Sequence, residues 1–239
     1  MRAVLTFHSI DELPGPLSFS PAGLESLLDA LAEVDLPVLS LDALLGDPNA
    51  RGVALTFDDG IATVFSAAMP ILARRQVPAH VFVITRQVGG DNRWEGQPAN
   101  ATPFKLMDWD QLEKTQASGF RIEAHTASHP DLRTLPGSEI EAEMEEADAA
   151  IEARLGRRPR YFAYPYGHHN ERVRAVARKR YAASVTTKLN YVGETPQLDA
   201  VPRLDSHYLR SPNFVRTLPS GRAHAYIALR RAARLLRGH

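Results

Sequence analysis

Short apolar, β-prone runs recur along this 239-residue chain, and most of them are followed by a helical pattern. The runs are Val4–Phe7, Val53–Phe57, Ala79–Ile84, Arg121–Ala124, Tyr161–Tyr164, Ala182–Val185 and Val201–Leu204. Between them the spacing predicts helices at Pro21–Val34, roughly Thr63–Arg75, Asp108–Ser118, Ser138–Leu155 and Glu171–Arg180. The first helix carries Leu24, Leu27, Leu28 and Leu31 on one face, and Ser138 with Glu141 forms the pattern of a capping box. Regular strand–helix alternation implies a mostly parallel sheet with helices packed outside it. About seven strands in one chain of this length fit a closed or nearly closed β/α barrel. A doubly wound open sheet is the alternative that spacing alone leaves open. With no repeat, low-complexity tract or Gly/Ser linker, residues 1–239 are expected to form a single domain.

The long polar stretch Arg86–Met107, with five Gly and Pro residues, interrupts the rhythm and reads as a functional or mobile loop. Charge is unevenly divided. From Arg154 onward there are 18 Lys and Arg against 4 Asp and Glu, although the whole chain holds 28 of each. Two oppositely charged halves lying against one another account for this better than a nucleic-acid surface, because the basic residues are dispersed and no recognition module accompanies them. Residues 222–237 read as a basic amphipathic helix, which suits either packing on the barrel or peripheral contact with an anionic membrane. No apolar run approaches the ~20 residues of a membrane span. The opening Met1–His8 lacks the apolar region of a secretion signal, so the expected location is cytoplasmic, extending to the inner face of the membrane.

Three polar clusters begin where expected strands end: Thr56-Phe57-Asp58-Asp59-Gly60, His125-Thr126-Ala127-Ser128-His129-Pro130 and Tyr164-Pro165-Tyr166-Gly167-His168-His169-Asn170. In a β/α barrel the carboxyl ends of all strands meet at one mouth, where active sites sit. The chain has no cysteine, so any metal must be held by His and carboxylates. Two His and one carboxylate leave coordination positions open for water and substrate, and a second neighbouring Asp is then free to act as a base. His169-Asn170 is placed to cap the helix that starts at Glu171.

The order TFDDG, HTASHPDL, FAYPYG resembles the polysaccharide deacetylase family, also called NodB-homology domains or carbohydrate esterase family 4. The resemblance runs from about Val53 to Val201, and Leu5-Thr6-Phe7-His8 is similar to the family's first strand. It implies a distorted (β/α) barrel and metal-dependent hydrolysis of an N-acetyl group on an amino sugar or glycan. It also implies Asp58 as catalytic base, and Asp59, His125 and His129 as ligands of a divalent ion. Zn2+ is the expected ion, and Co, Ni, Mn or Fe also suit the set. Tyr166 matches the position whose backbone N–H holds the oxyanion.

Two positions depart from the family pattern. Ala163 stands where fuller members carry an Arg that orients the base, and Arg203 on the last strand is the expected substitute. The late Leu-x-His motif has no clean match, and His207 is the nearest candidate for the acid that protonates the leaving amine. The same chemistry on a non-sugar amide, and a catalytically silent carbohydrate-binding member, are the competing readings.

Overall fold

The computed structural model describes residues 1–97 and 101–236. Its strands are β1 (Arg2–Phe7), β2 (Ser9–Ile10), β3 (Ser18–Phe19), β4 (Gly52–Phe57), β5 (His80–Val83), β6 (Arg121–Ala124), β7 (Tyr161–Ala163), β8 (Ala183–Leu189) and β9 (Val201–Asp205). Its helices are α1 (Pro21–Glu33), α2 (Leu41–Gly46), α3 (Met69–Arg74), α4 (Trp109–Ala117), α5 (Gly137–Leu155), α6 (Glu171–Arg180), α7 (Pro212–Thr217) and α8 (Gly221–Leu236). Seven strands run parallel in the order β1-β4-β5-β6-β7-β8-β9, and β9 returns to β1 through Leu5–Leu204 and Thr6–Asp205. The sheet is therefore a closed barrel, and the doubly wound alternative is set aside. The short strands β2 and β3 form a separate parallel pair.

Strand alternation divides the core into two layers. Ala3, Leu5 and Phe7 of β1 and Val53, Leu55 and Phe57 of β4 pack outward with the helices. Val4, Ala54, Phe82, Ala163, Val185 and Val201 pack together inside, with Leu41 and Leu44 of α2. The Leu41 N–H donates to His80 Nε2 at 3.0 Å, so α2 closes the end of the barrel where the strands begin. The four leucines of α1 are all buried, each contributing roughly 1.5–3 kcal/mol.

Three local expectations change. Residues 63–75 do not form one regular helix: a π-helical turn at Val64–Ala68 precedes α3. Pro70 lacks an N–H and cannot continue the regular ladder through that point. The Ser138–Glu141 capping box is not made, because α5 starts one residue earlier with Pro136 at its N-cap. The complete capping box is at Asp108–Gln111, opening α4. Asn170 does cap α6, accepting the Val173 N–H at 3.0 Å.

Ion pairs link the acidic and basic halves. Arg158 meets Asp148, Arg160 meets Asp42, and Arg216 meets Glu33. On α8, Ala223 and Ile227 are buried, while Tyr226 and Leu229 are 43% and 68% exposed. Arg237, at the end of the expected helix, lies outside the described residues. Among the described residues no helix is long and apolar enough to cross a membrane.

Candidate active site

The carboxyl ends of the strands converge as the sequence implies. Asp58 and Asp59 follow β4, His125 and His129 follow β6, and Tyr164, Tyr166 and Gly167 follow β7. These residues line one cleft of about 120 Å³ together with His8, Leu17, Trp94, Gln97 and Thr187.

Asp59 Oδ1 lies 3.4 Å from His125 Nε2 and 3.8 Å from His129 Nε2, and all three side chains are buried. His125 Nδ1 sits 2.7 Å from the Ala163 carbonyl. A carbonyl can only accept, so Nδ1 carries a hydrogen and Nε2 is the ring nitrogen turned towards Asp59. Two imidazole nitrogens and a carboxylate oxygen, each within 4.8 Å of the others, fit a divalent cation. Electrostatics agree. Burial opposes ionisation of Asp59, but the hydrogen bond to His125 and the nearby imidazoles outweigh it and hold the carboxyl well below its ordinary value. Burial, with His125 beside it, pushes His129 down to about 3, leaving a neutral ligand nitrogen.

The backbone under these side chains is strained. Among the described residues six non-glycine positions have positive φ, and four lie here: Asp59 at 67°, Thr126 at 68°, His129 at 64° and Tyr166 at 58°. Such conformations persist only where the surroundings hold them, and they cluster at functional sites. Here Thr126 Oγ1 accepts the His129 N–H at 2.9 Å, and Glu143 accepts the N–H groups of Ala127 and Ser128. Gly167 completes the Tyr166 turn. Its φ is 71°, and a Cβ there would fall 2.1 Å from Thr187 Oγ1, so no larger residue fits.

Asp58 points into the barrel, where Arg203 donates to Oδ1 at 2.7 Å and to Oδ2 at 2.6 Å. Arg203 also reaches Thr56 Oγ1 and the Thr186 carbonyl, which fixes the guanidinium. Burial alone would favour protonated Asp58, but the charge and hydrogen bonds of Arg203 prevail and lower its pKa. Ala163 is fully buried, and its contribution to the site is the carbonyl that orients His125.

His207 is not brought to the cleft. Asp205 accepts the His207 N–H and caps a short 3-10 turn, leaving the imidazole exposed with its ring edge-on to Tyr208. The histidine that lines the cleft instead is His8, half-buried directly after β1. Its signal in the sequence is a polar residue closing an apolar strand, the same signal that marks the other clusters. Trp94 comes from the Arg86–Met107 loop, and Asn92 anchors that segment by bonding the Thr102 carbonyl and the Phe104 N–H. The Trp94 ring lies 4.5 Å from His129, and Tyr166 covers His129 from another direction at 4.6 Å.

A model described as Polysaccharide deacetylase matches residues 45–183. The chain belongs to the polysaccharide deacetylase family. It is 32% identical over 114 residues to a chitin deacetylase of Colletotrichum lindemuthianum, covering 48% of this chain and 41% of that protein. A poly-beta-1,6-N-acetyl-D-glucosamine N-deacetylase of Staphylococcus aureus is 27% identical over 190 residues, covering 72% and 62%. IcaB from Ammonifex degensii superposes with a TM-score of 0.76 at 25% identity, over 90% of this chain and 97% of that one. This deacetylase-family chain thus spans less than two thirds of the curated relatives' length, while its barrel matches nearly the whole of the solved IcaB chain.

Proposed function

We propose that this protein is a divalent-metal-dependent hydrolase that removes N-acetyl groups from an amino-sugar glycan. The observation that carries the reading is an ionised carboxylate, Asp58, held beside the buried Asp59–His125–His129 set within one cleft. Asp59, His125 and His129 would hold the ion, for which Zn2+ is our assignment from the two-imidazole, one-carboxylate set. When bound, it supplies Lewis-acid polarisation of the amide carbonyl and lowers the pKa of water.

In the reaction, water adds to the acetyl carbon while Asp58 accepts one of its protons. Arg203 keeps Asp58 ionised and orients it. The Tyr166 N–H is assigned to the oxyanion that develops. His8, across the cleft, donates a proton to the sugar nitrogen as the C–N bond breaks, and acetate and a free amine result. Trp94 and Tyr166 supply aromatic walls that exclude water from the reacting centre. The test is metal analysis of purified protein followed by acetate-release assays on chitooligosaccharides and on β-1,6-linked N-acetylglucosamine oligomers. Acetate release that stops on chelation and returns with Zn2+ is expected. Metal-loaded protein that releases no acetate from either glycan overturns the proposal.

A further inference from the structure

Beside the cleft lies a larger groove of about 410 Å³. The two share the Tyr166–Gly167 turn and Thr187 as lining residues, so the groove lies next to the cleft. Three residues make the groove different in character: Lys188 of β8, and Arg231 and Arg234 of α8. Among the described residues no Asp or Glu lines it.

The backbone builds this grouping. The β8–β9 register shifts between Val185 and Leu189, and Thr187 and Lys188 are the two exposed positions of a strand otherwise buried. Such an irregularity re-aims side chains at a barrel rim. Helix α8 then lays Arg231 and Arg234 opposite them. Arg234 is partly engaged, 3.4 Å from Asp205 and over the Tyr208 ring. Lys188 and Arg231 have no carboxylate within 4.0 Å among the described residues, whereas Arg158, Arg160 and Arg216 of this half are paired with the acidic half. Two unneutralised cations facing a concave surface, with a third behind them, attract a doubly charged anion more than a single carboxylate.

We infer that this groove binds a phosphoryl or pyrophosphoryl group carried by the sugar whose N-acetyl group enters the cleft. The inference rests on the deacetylase reading and narrows its substrate to a glycosyl phosphate. A sugar nucleotide and a polyprenyl-linked sugar both carry that group, through the same Lys188 and Arg231 contacts.

The experiment measures binding by calorimetry in an Asp58→Asn background, where turnover is slowed, and acetate release in the otherwise unaltered protein. The probes are chitotriose, UDP-N-acetylglucosamine, N-acetylglucosaminyl pyrophosphoryl farnesol and, as a carboxylate-bearing glycan, a hyaluronan tetrasaccharide. Expected is at least tenfold tighter binding of both pyrophosphate-bearing probes than of chitotriose. Lys188→Gln with Arg231→Gln should abolish that advantage and leave chitotriose affinity and turnover unchanged. If only the nucleotide probe gains, the assignment to the shared pyrophosphoryl group fails. No advantage, or one that survives the double substitution, overturns the groove while acetate release from chitotriose keeps the deacetylase reading. Conversely, a pyrophosphate advantage lost on substitution, with no acetate released from any probe, keeps the anion site and overturns the deacetylase reading. A hyaluronan tetrasaccharide that binds more tightly than both pyrophosphate probes replaces the phosphoryl assignment with a carboxylate one.

Discussion

Arg203 of β9 clasps both carboxylate oxygens of Asp58, at 2.7 and 2.6 Å, from the opposite end of the sequence and in the interior of the barrel. An Arg fork on a buried carboxylate is a strong, geometrically specific pair, and it leaves Asp58 little freedom to rotate.

Arg203→Met tests this pairing through pH. With Arg203 present Asp58 titrates below its ordinary value, so the pair's stabilisation is complete above about pH 4 and is lost as pH falls through the folded-state value. Without Arg203, burial dominates and the carboxyl holds its proton to higher pH. The acidic limb of the pH–rate profile should move upward by about one unit or more. An unmoved limb would show that Arg203 does not control the ionisation of Asp58.

The neighbouring carboxylates should separate cleanly. Asp58→Asn is expected to retain the ion and lose roughly 10²-fold or more in turnover, the scale of general-base assistance. Asp59→Asn should lose both ion and turnover. Elemental analysis beside the kinetics reads the two apart, and the reverse pattern would exchange their assignments.

Removal of either imidazole should empty the ion site. His125→Ala and His129→Ala each leave two donors, which rarely hold a divalent ion tightly. Metal content equal to that of the unaltered protein would remove the substituted residue from the ligand set.

The two histidines proposed as the acid can be told apart directly. His8→Gln should lower kcat by roughly 10²- to 10⁴-fold, the range of general-acid assistance, with metal content unchanged. His207→Gln should leave kcat within about twofold, since its ring is exposed and faces Tyr208. A large loss at His207 with none at His8 would return the acid to the late segment.

The barrel was readable because each buried parallel strand is an apolar run, and the site because polar residues interrupt those runs at their carboxyl ends. Asp58, Asp59, His125 and His129 all announce themselves in this way. His8 carries the same mark, but the polar residues after it, Ser9, Asp11 and Glu12, include no second histidine and no paired aspartates to draw attention to it. His207 misled for the opposite reason: it lies close in sequence to the expected motif, yet capping by Asp205 turns its side chain away from the cleft. Trp94 was hidden because its position depends on tertiary anchoring of an irregular loop by Asn92, which no local periodicity records. The missing Ser138 cap shows local propensity overridden by where Pro136 lets α5 begin.

The closure of β9 on β1 links completion of the barrel to the charge balance of its interior. By residue 129 the growing chain already contains both aspartates and both histidines. The guanidinium that sustains Asp58 arrives only with residue 203, when the final strand shuts the cylinder. The strand that seals the wall is thus the strand that balances the Asp58 carboxylate inside it, and a chain cut before β9 lacks both.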